Sequence, residues 1–230
     1  MNYYEVGYII ISTKDKYLSK SFKLDNLSTN VFSISNYVKP TYPDEWFFSW
    51  VHNIENEIKR DLNLSKEVLK EAEQFLEYLE NSKKFSWPNI FASFEDAILF
   101  KDKFLFNIKN LMIVKICIPE DFYEDFLINE QNENDKEISI YNFLKDKKIE
   151  HISSKERKLG FDICGYLNGN FYSFICNGLQ DDFLENNIQL NRYSLIEEYK
   201  DAKVIINLID NNKILAEEIL WYPWLLIKCI

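Results

Sequence analysis

Only two histidines, His52 and His151, are available for proton transfer near neutral pH, and neither has a setting that chemistry would use. His52 shares a polar stripe with Glu55, Asn56 and Lys59, opposite Trp46 and Trp50 on a predicted helix, and reads as solvated surface. His151 lies in a linker rich in lysine and glutamate and reads the same way. A cysteine nucleophile would need a base beside it. The one small polar cluster that the spacing builds is Asp162, Cys164 and Ser173 on one face of a hairpin, and its histidine would have to come from elsewhere. Buried cysteine packs as a small hydrophobe, which is the simpler account of Cys164. No cysteine pair has ligand spacing, and neither histidine belongs to a helical metal motif. The acidic groups Glu120-Asp121 with Glu124-Asp125, and Asp181-Asp182 with Glu185, have the chemistry to hold a hard cation, but charge on a helix is most simply a wet face. Gly-x-Gly-x-x-Gly, the P-loop, Gly-x-Ser-x-Gly and the kinase set are all absent. The sequence therefore predicts no catalytic residue, no metal and no cofactor.

Charge narrows the partners. Asp and Glu outnumber Lys and Arg by 37 to 27, a formal charge of -10, so nucleic acid and anionic membrane surfaces are repelled overall. Solubility accounts for such a charge, and so does attraction to a basic protein partner. The four cysteines, Cys117, Cys164, Cys176 and Cys229, are too far apart for a disulfide framework and fit reduced thiols in cytoplasm. Met1-Asn2-Tyr3-Tyr4-Glu5 has no basic region followed by an export-length apolar run, so no signal peptide is expected. The longest apolar stretch, 219–227, contains Pro223 and falls short of the ~20 residues that cross a bilayer.

These residues need a scaffold, and the chain carries the material for one. Hydrophobic residues make up 47% of it and aromatics 16%, enough apolar surface to order a sizeable core. With 230 residues and few glycines or prolines, a single α+β domain over 1–230 is expected, with a soft boundary near the polar run 129–137. Stretches 3–11, 17–24 and 31–38 are rich in Ile, Val, Tyr and Phe and predict an N-terminal antiparallel meander. Apolar residues at three- and four-residue steps from Trp46 to Leu62 predict a helix capped by Asp44. Val68, Leu69, Ala72, Phe75, Leu76 and Leu79 form the stripe of a second helix from Ser65 to about Asn81, packed on the first as a hairpin. A short helix over 94–104, a buried strand over 111–118 ended by Pro119, a helix opening at Pro119-Glu120-Asp121 and a brief helix over 139–147 follow.

Asn168-Gly169 tolerates the positive φ angles of a two-residue turn and predicts a hairpin over 160–177. Leu167 then faces Asn170, Gly165 faces Tyr172, Ile163 faces Phe174 and Phe161 faces Cys176 on the core side. Asp162, Cys164, Tyr166, Phe171, Ser173 and Ile175 take the other side, so Cys164 and Cys176 point apart. A short helix near 179–185 precedes a longer one predicted to open at Ser194 on the capping box Ser194-Leu195-Ile196-Glu197 and to reach Ile209. The C-terminal run 219–227 is expected as an edge strand, because Pro223 cannot donate to an interior ladder. Together these predict an antiparallel sheet (N-terminal meander, hairpin at 160–177, C-terminal strand) with several amphipathic helices packed on it. Of the tryptophans, Trp46 and Trp50 are explained by helix burial, and an interface role falls to Trp221 and Trp224 beside Pro223.

Leu159-Gly160-Phe161-Asp162-Ile163, then Tyr172-Ser173-Phe174, Asn177-Gly178-Leu179 and Asn191-x-Tyr193-Ser194-Leu195-Ile196-Glu197-Glu198 before a Trp-rich strand resemble bacterial immunity proteins of the polymorphic-toxin type, over the last third of the chain. The resemblance implies cytoplasmic binding to a cognate toxin and blockage of its active site or fold, without catalysis. The residues expected to meet Lys and Arg around the toxin's cleft are Glu120, Asp121, Glu124, Asp125, Asp181, Asp182 and Glu185. Two other readings stand beside it: a small-substrate enzyme using Cys164 or paired carboxylates, and a phage- or host-encoded inhibitor of another cellular protein.

Overall fold

Strands rich in β-branched and aromatic residues and helices with one apolar stripe leave each element a face to bury, and stacking helices on a sheet buries both. The computed structural model describes residues 2–12, 34, 65–86, 90–106, 111–131, 140–145, 147, 149–150, 156–167, 170–174 and 179–230. In chain order they form β1 (Tyr3–Ser12), α1 (Lys66–Asn81), β2 (Phe85–Ser86), β3 (Ile90–Phe91), α2 (Phe94–Phe104), β4 (Leu111–Pro119), α3 (Glu120–Gln131), α4 (Tyr141–Leu144), β5 (Ile149–Glu150), β6 (Glu156–Leu167), β7 (Asn170–Ser173), α5 (Gln180–Glu185), α6 (Tyr199–Asp210) and β8 (Trp221–Cys229). This is an α+β fold. Its antiparallel sheet runs β2-β3-β1-β4-β8-β6-β7, with β5 pairing β1 off that path. The N-terminal strand, the hairpin and the C-terminal strand thus share one sheet.

Strand alternation sends successive side chains to opposite faces, and each face carries its own core. Val6, Ile9, Ile11, Val114, Ile116, Ile118, Trp224 and Leu226 lie on one face with Tyr123 and Phe126 of α3 and Phe143 and Leu144 of α4. On the other face, Tyr8, Ile10 and Ile113 pack with Ala72 and Leu79 of α1 and Ala97, Phe100 and Phe104 of α2. Further along that face, Phe161, Ile163, Leu225 and Ile227 meet Phe183 of α5 and Ala202, Ile205, Ile206 and Ile209 of α6. Serine side chains fix where two of these helices start: Ser65 Oγ accepts from Val68 N at 3.3 Å, and Ser93 Oγ from Asp96 N at 3.1 Å.

The structure corrects five expectations. The hairpin has the predicted register, with Cys164 opposite Ser173 and Leu167 opposite Asn170. Both of its faces are core, however, not one, because helices or chain cover the sheet on each side there. The C-terminal strand is central, lying between β4 and β6. Pro223 is tolerated because β8 pairs with β6 from Trp221 onward but with β4 only from Leu225 to Lys228. Tyr166 N donates to Leu220 O, so the hydrogen-bonded pairs toward β6 fall at Tyr222 and Trp224. The nitrogen of Pro223 is therefore turned to the side where pairing with β4 has already stopped. Trp221 and Trp224 are both buried, which removes them from any interface. The polar run after Asn129 begins inside α3, which continues to Gln131 with Glu130 buried.

The fifth correction concerns Ser194, which caps no helix. It adopts φ 60, donates its N–H to Asn191 O, and leads into Ile196, which exchanges two backbone hydrogen bonds with Phe161 at 2.7 and 2.9 Å. Backbone groups already used in that bridge cannot start a helix, so α6 opens at Tyr199 with Glu198 as the extended N-cap residue. Asn191 ties the turn together. Its Nδ2 donates to Leu159 O at 2.7 Å and Glu197 Oε2 at 2.8 Å, and its Oδ1 accepts from Tyr193 N and Leu195 N. Gly160 makes room for it: at φ +141, a Cβ there would stand 2.7 Å from Leu195 Cβ and 2.9 Å from Ile196 O. The expected strand at 17–24, all of that at 31–38 except Ile34, the helix at 44–62, Trp87, Asn168-Gly169, Cys176, His52 and His151 lie outside the described residues.

Candidate functional site

α3 follows Pro119 directly, and acids in its first turn suit the helix dipole. Tyr123 and Phe126 anchor one side of the helix in the core, which leaves Glu120, Asp121, Glu124, Asp125 and Ile128 as an exposed stripe at four-residue steps. The four acids of that stripe have different company. Glu120 Oε2 accepts from Asn2 Nδ2 at 3.0 Å. Asp121 Oδ2 accepts from Lys203 Nζ at 2.8 Å and Tyr199 OH at 2.9 Å, both on α6. The Lys203 hydrogen bond, then that of Tyr199, holds the Asp121 carboxyl below its ordinary range. Asp121 is thus engaged by its own chain and joins α3 to α6.

Asp125 accepts a long 3.3 Å hydrogen bond from Tyr222 OH, and Glu124 is exposed beside it. At the far end of α6, burial pushes the Asp210 carboxyl above its ordinary range and the nearby Asp125 pushes it further. Among the described residues no lysine or arginine forms an ion pair with Glu124, Asp125 or Asp210. Sequence reasoning named Glu124 and Asp125 and missed Asp210, whose approach to Asp125 brings together residues 85 positions apart in the chain.

The second acidic group belongs elsewhere. Asp181, Asp182 and Glu185 lie on α5, whose Phe183 is buried with the core of the opposite sheet face from Tyr123 and Phe126. Glu185 is exposed and Asp182 half-buried. The two acidic groups thus lie on helices whose buried residues join different core clusters.

Asp162, Cys164 and Ser173 do meet, and all three are 0% exposed. Ser173 Oγ donates to Asp162 Oδ1 at 3.0 Å, and Ile34 N donates to Asp162 Oδ2 at 2.9 Å. The carboxylate thereby satisfies two donors and ties the chain at Ile34 to the hairpin. Cys164 packs among Trp224, Phe171 and Tyr166 in the apolar core, which is structural chemistry. In the native protein the Cys164 thiol is expected to resist iodoacetamide for hours and to react within minutes in denaturant. Peptide mass mapping reads this, and rapid native labelling would contradict the packing.

Sequence reasoning missed a buried row of charges, which includes Lys115 in the otherwise apolar strand β4. Lys115, 3% exposed, forms an ion pair with Glu156 across β8. Burial alone would push its ammonium down, but the Glu156 hydrogen bond and surrounding negative charge leave it above its ordinary value. Glu5 accepts from Tyr8 OH at 2.6 Å and Lys147 Nζ at 2.7 Å, and burial followed by that Glu5 contact raises the Tyr8 phenol strongly. Cys229 is pushed up to about 11, by burial first and then by Glu156. A thiol so raised stays protonated near neutral pH, and a paired ammonium is no nucleophile. The row reads as internal structure.

No helix among the described residues is long and apolar enough to cross a membrane. Comparison with known proteins returns no matching family model, curated protein or solved structure. The observed class is therefore that of the fold alone: an α+β protein in which Glu124, Asp125 and Asp210 form no ion pair among the described residues.

Proposed function

We propose that this chain is a non-catalytic, acidic, cytoplasmic binding protein that neutralises a basic toxin or enzyme by direct contact, as an immunity protein does. The observation that carries this reading is that Glu124, Asp125 and Asp210, the last two close enough to repel, form no ion pair among the described residues, while Asp121 on the same helix as the first two is paired with Lys203. Like charges held together oppose folding, and a basic partner relieves them on binding. The rest of the chain is consistent with such a role. The thiols at Cys117 and Cys164 are buried, Lys115 and Lys147 are paired with Glu156 and Glu5, and the Asp162 carboxylate accepts from Ser173 and Ile34 N.

Identification of the partner by affinity capture from the native cell, followed by calorimetry with the purified pair, tests the proposal. The Glu124→Lys/Asp125→Lys/Asp210→Lys variant is expected to bind at least about 100-fold more weakly, in line with close charge pairs at tight interfaces. Rising salt should weaken the wild-type complex more than the variant's. Full affinity in the variant would overturn the placement, and turnover of a small substrate by the purified chain would overturn the class.

Asp210→Asn separates the two effects of this charge. A carboxyl raised in the fold binds its proton more tightly there than in the unfolded chain. Its ionised form is therefore unfavourable above the folded pKa, and that penalty disappears as pH falls toward about 4, the ordinary Asp value. The variant is expected to melt higher than wild type at pH 7, to lose that advantage by about pH 4, and to bind the partner less tightly. Equal melting temperatures across that window in a calorimetric scan would count against the strain.

A further inference from the structure

We draw no further inference here: the strongest candidate, the cleft of about 340 Å³ between α2 and the paired ends of β4 and β8, lined by Phe94, Ile98, Leu111, Ile113 and Cys229, has mainly apolar walls and nothing in the structure shows what covers it.

Discussion

Gly160→Ala is expected to destabilise the fold by roughly 2–6 kcal/mol, combining about 1–3 kcal/mol for a side chain at unfavourable φ with a similar figure for overpacking. The added carbon would stand 2.7 Å from Leu195 Cβ, 2.9 Å from Asn191 Nδ2 and 2.9 Å from Ile196 O. Two of those neighbours are held in place by the Phe161–Ile196 bridge and by the hydrogen bonds of Asn191, so they cannot step aside without breaking the turn. Gly165→Ala provides the contrast. Its carbon would meet Ile219 Cδ1 at 2.1 Å, but that is the end of a half-buried flexible side chain, and rotation relieves the clash. Urea titration of the two variants decides the matter. Equal midpoints for Gly160→Ala and wild type would show that the turn is looser than its contacts imply.

Lys115→Met is expected to cost about 3–5 kcal/mol, because it leaves Glu156 largely buried without its cation. Glu156→Leu alone strands the ammonium in the same way. The double variant Lys115→Met/Glu156→Leu should recover most of the loss, since an apolar pair of similar volume suits the neighbouring core. Strictly additive losses in a double-mutant cycle would remove the pair as a unit of stability. The pH response has a definite sign. Lys115 titrates higher in the fold than its ordinary 10.5, so its contribution is full below that value and fades as pH climbs through the folded one. Wild type should therefore lose stability in alkali more steeply than the double variant.

The local features were legible because neighbouring residues decide them. Helical spacing from Val68 to Leu79 and a serine ahead of it defined α1, and the apolar run at 111–118 with its closing proline defined β4. Asn168-Gly169 implied the pairing of Cys164 with Ser173, since a turn length fixes register. What failed depends on distant partners. The proline rule made β8 an edge, yet whether an absent N–H matters is decided by where its pairing with β4 ends. Ser194-x-x-Glu197 is a sound local signal that lost to a bridge with Phe161, more than thirty positions earlier in the chain. The acidic site shows the same division. Charge on α3 could be read directly, but the neutralisation of Asp121 by Lys203 and the approach of Asp125 to Asp210 arise only in the folded chain, between residues about eighty positions apart.

The central place of β8 constrains how the molecule is made. β1 and β4 form one ladder, β6 and β7 another, and the strand that joins them is synthesised after all four. Until residues 221–229 leave the ribosome, β4 and β6 each present an open row of backbone donors and acceptors lined with isoleucine and phenylalanine. A nascent or clipped chain lacking that strand would hold two sticky half-sheets, and a chaperone or rapid proteolysis would then decide its fate.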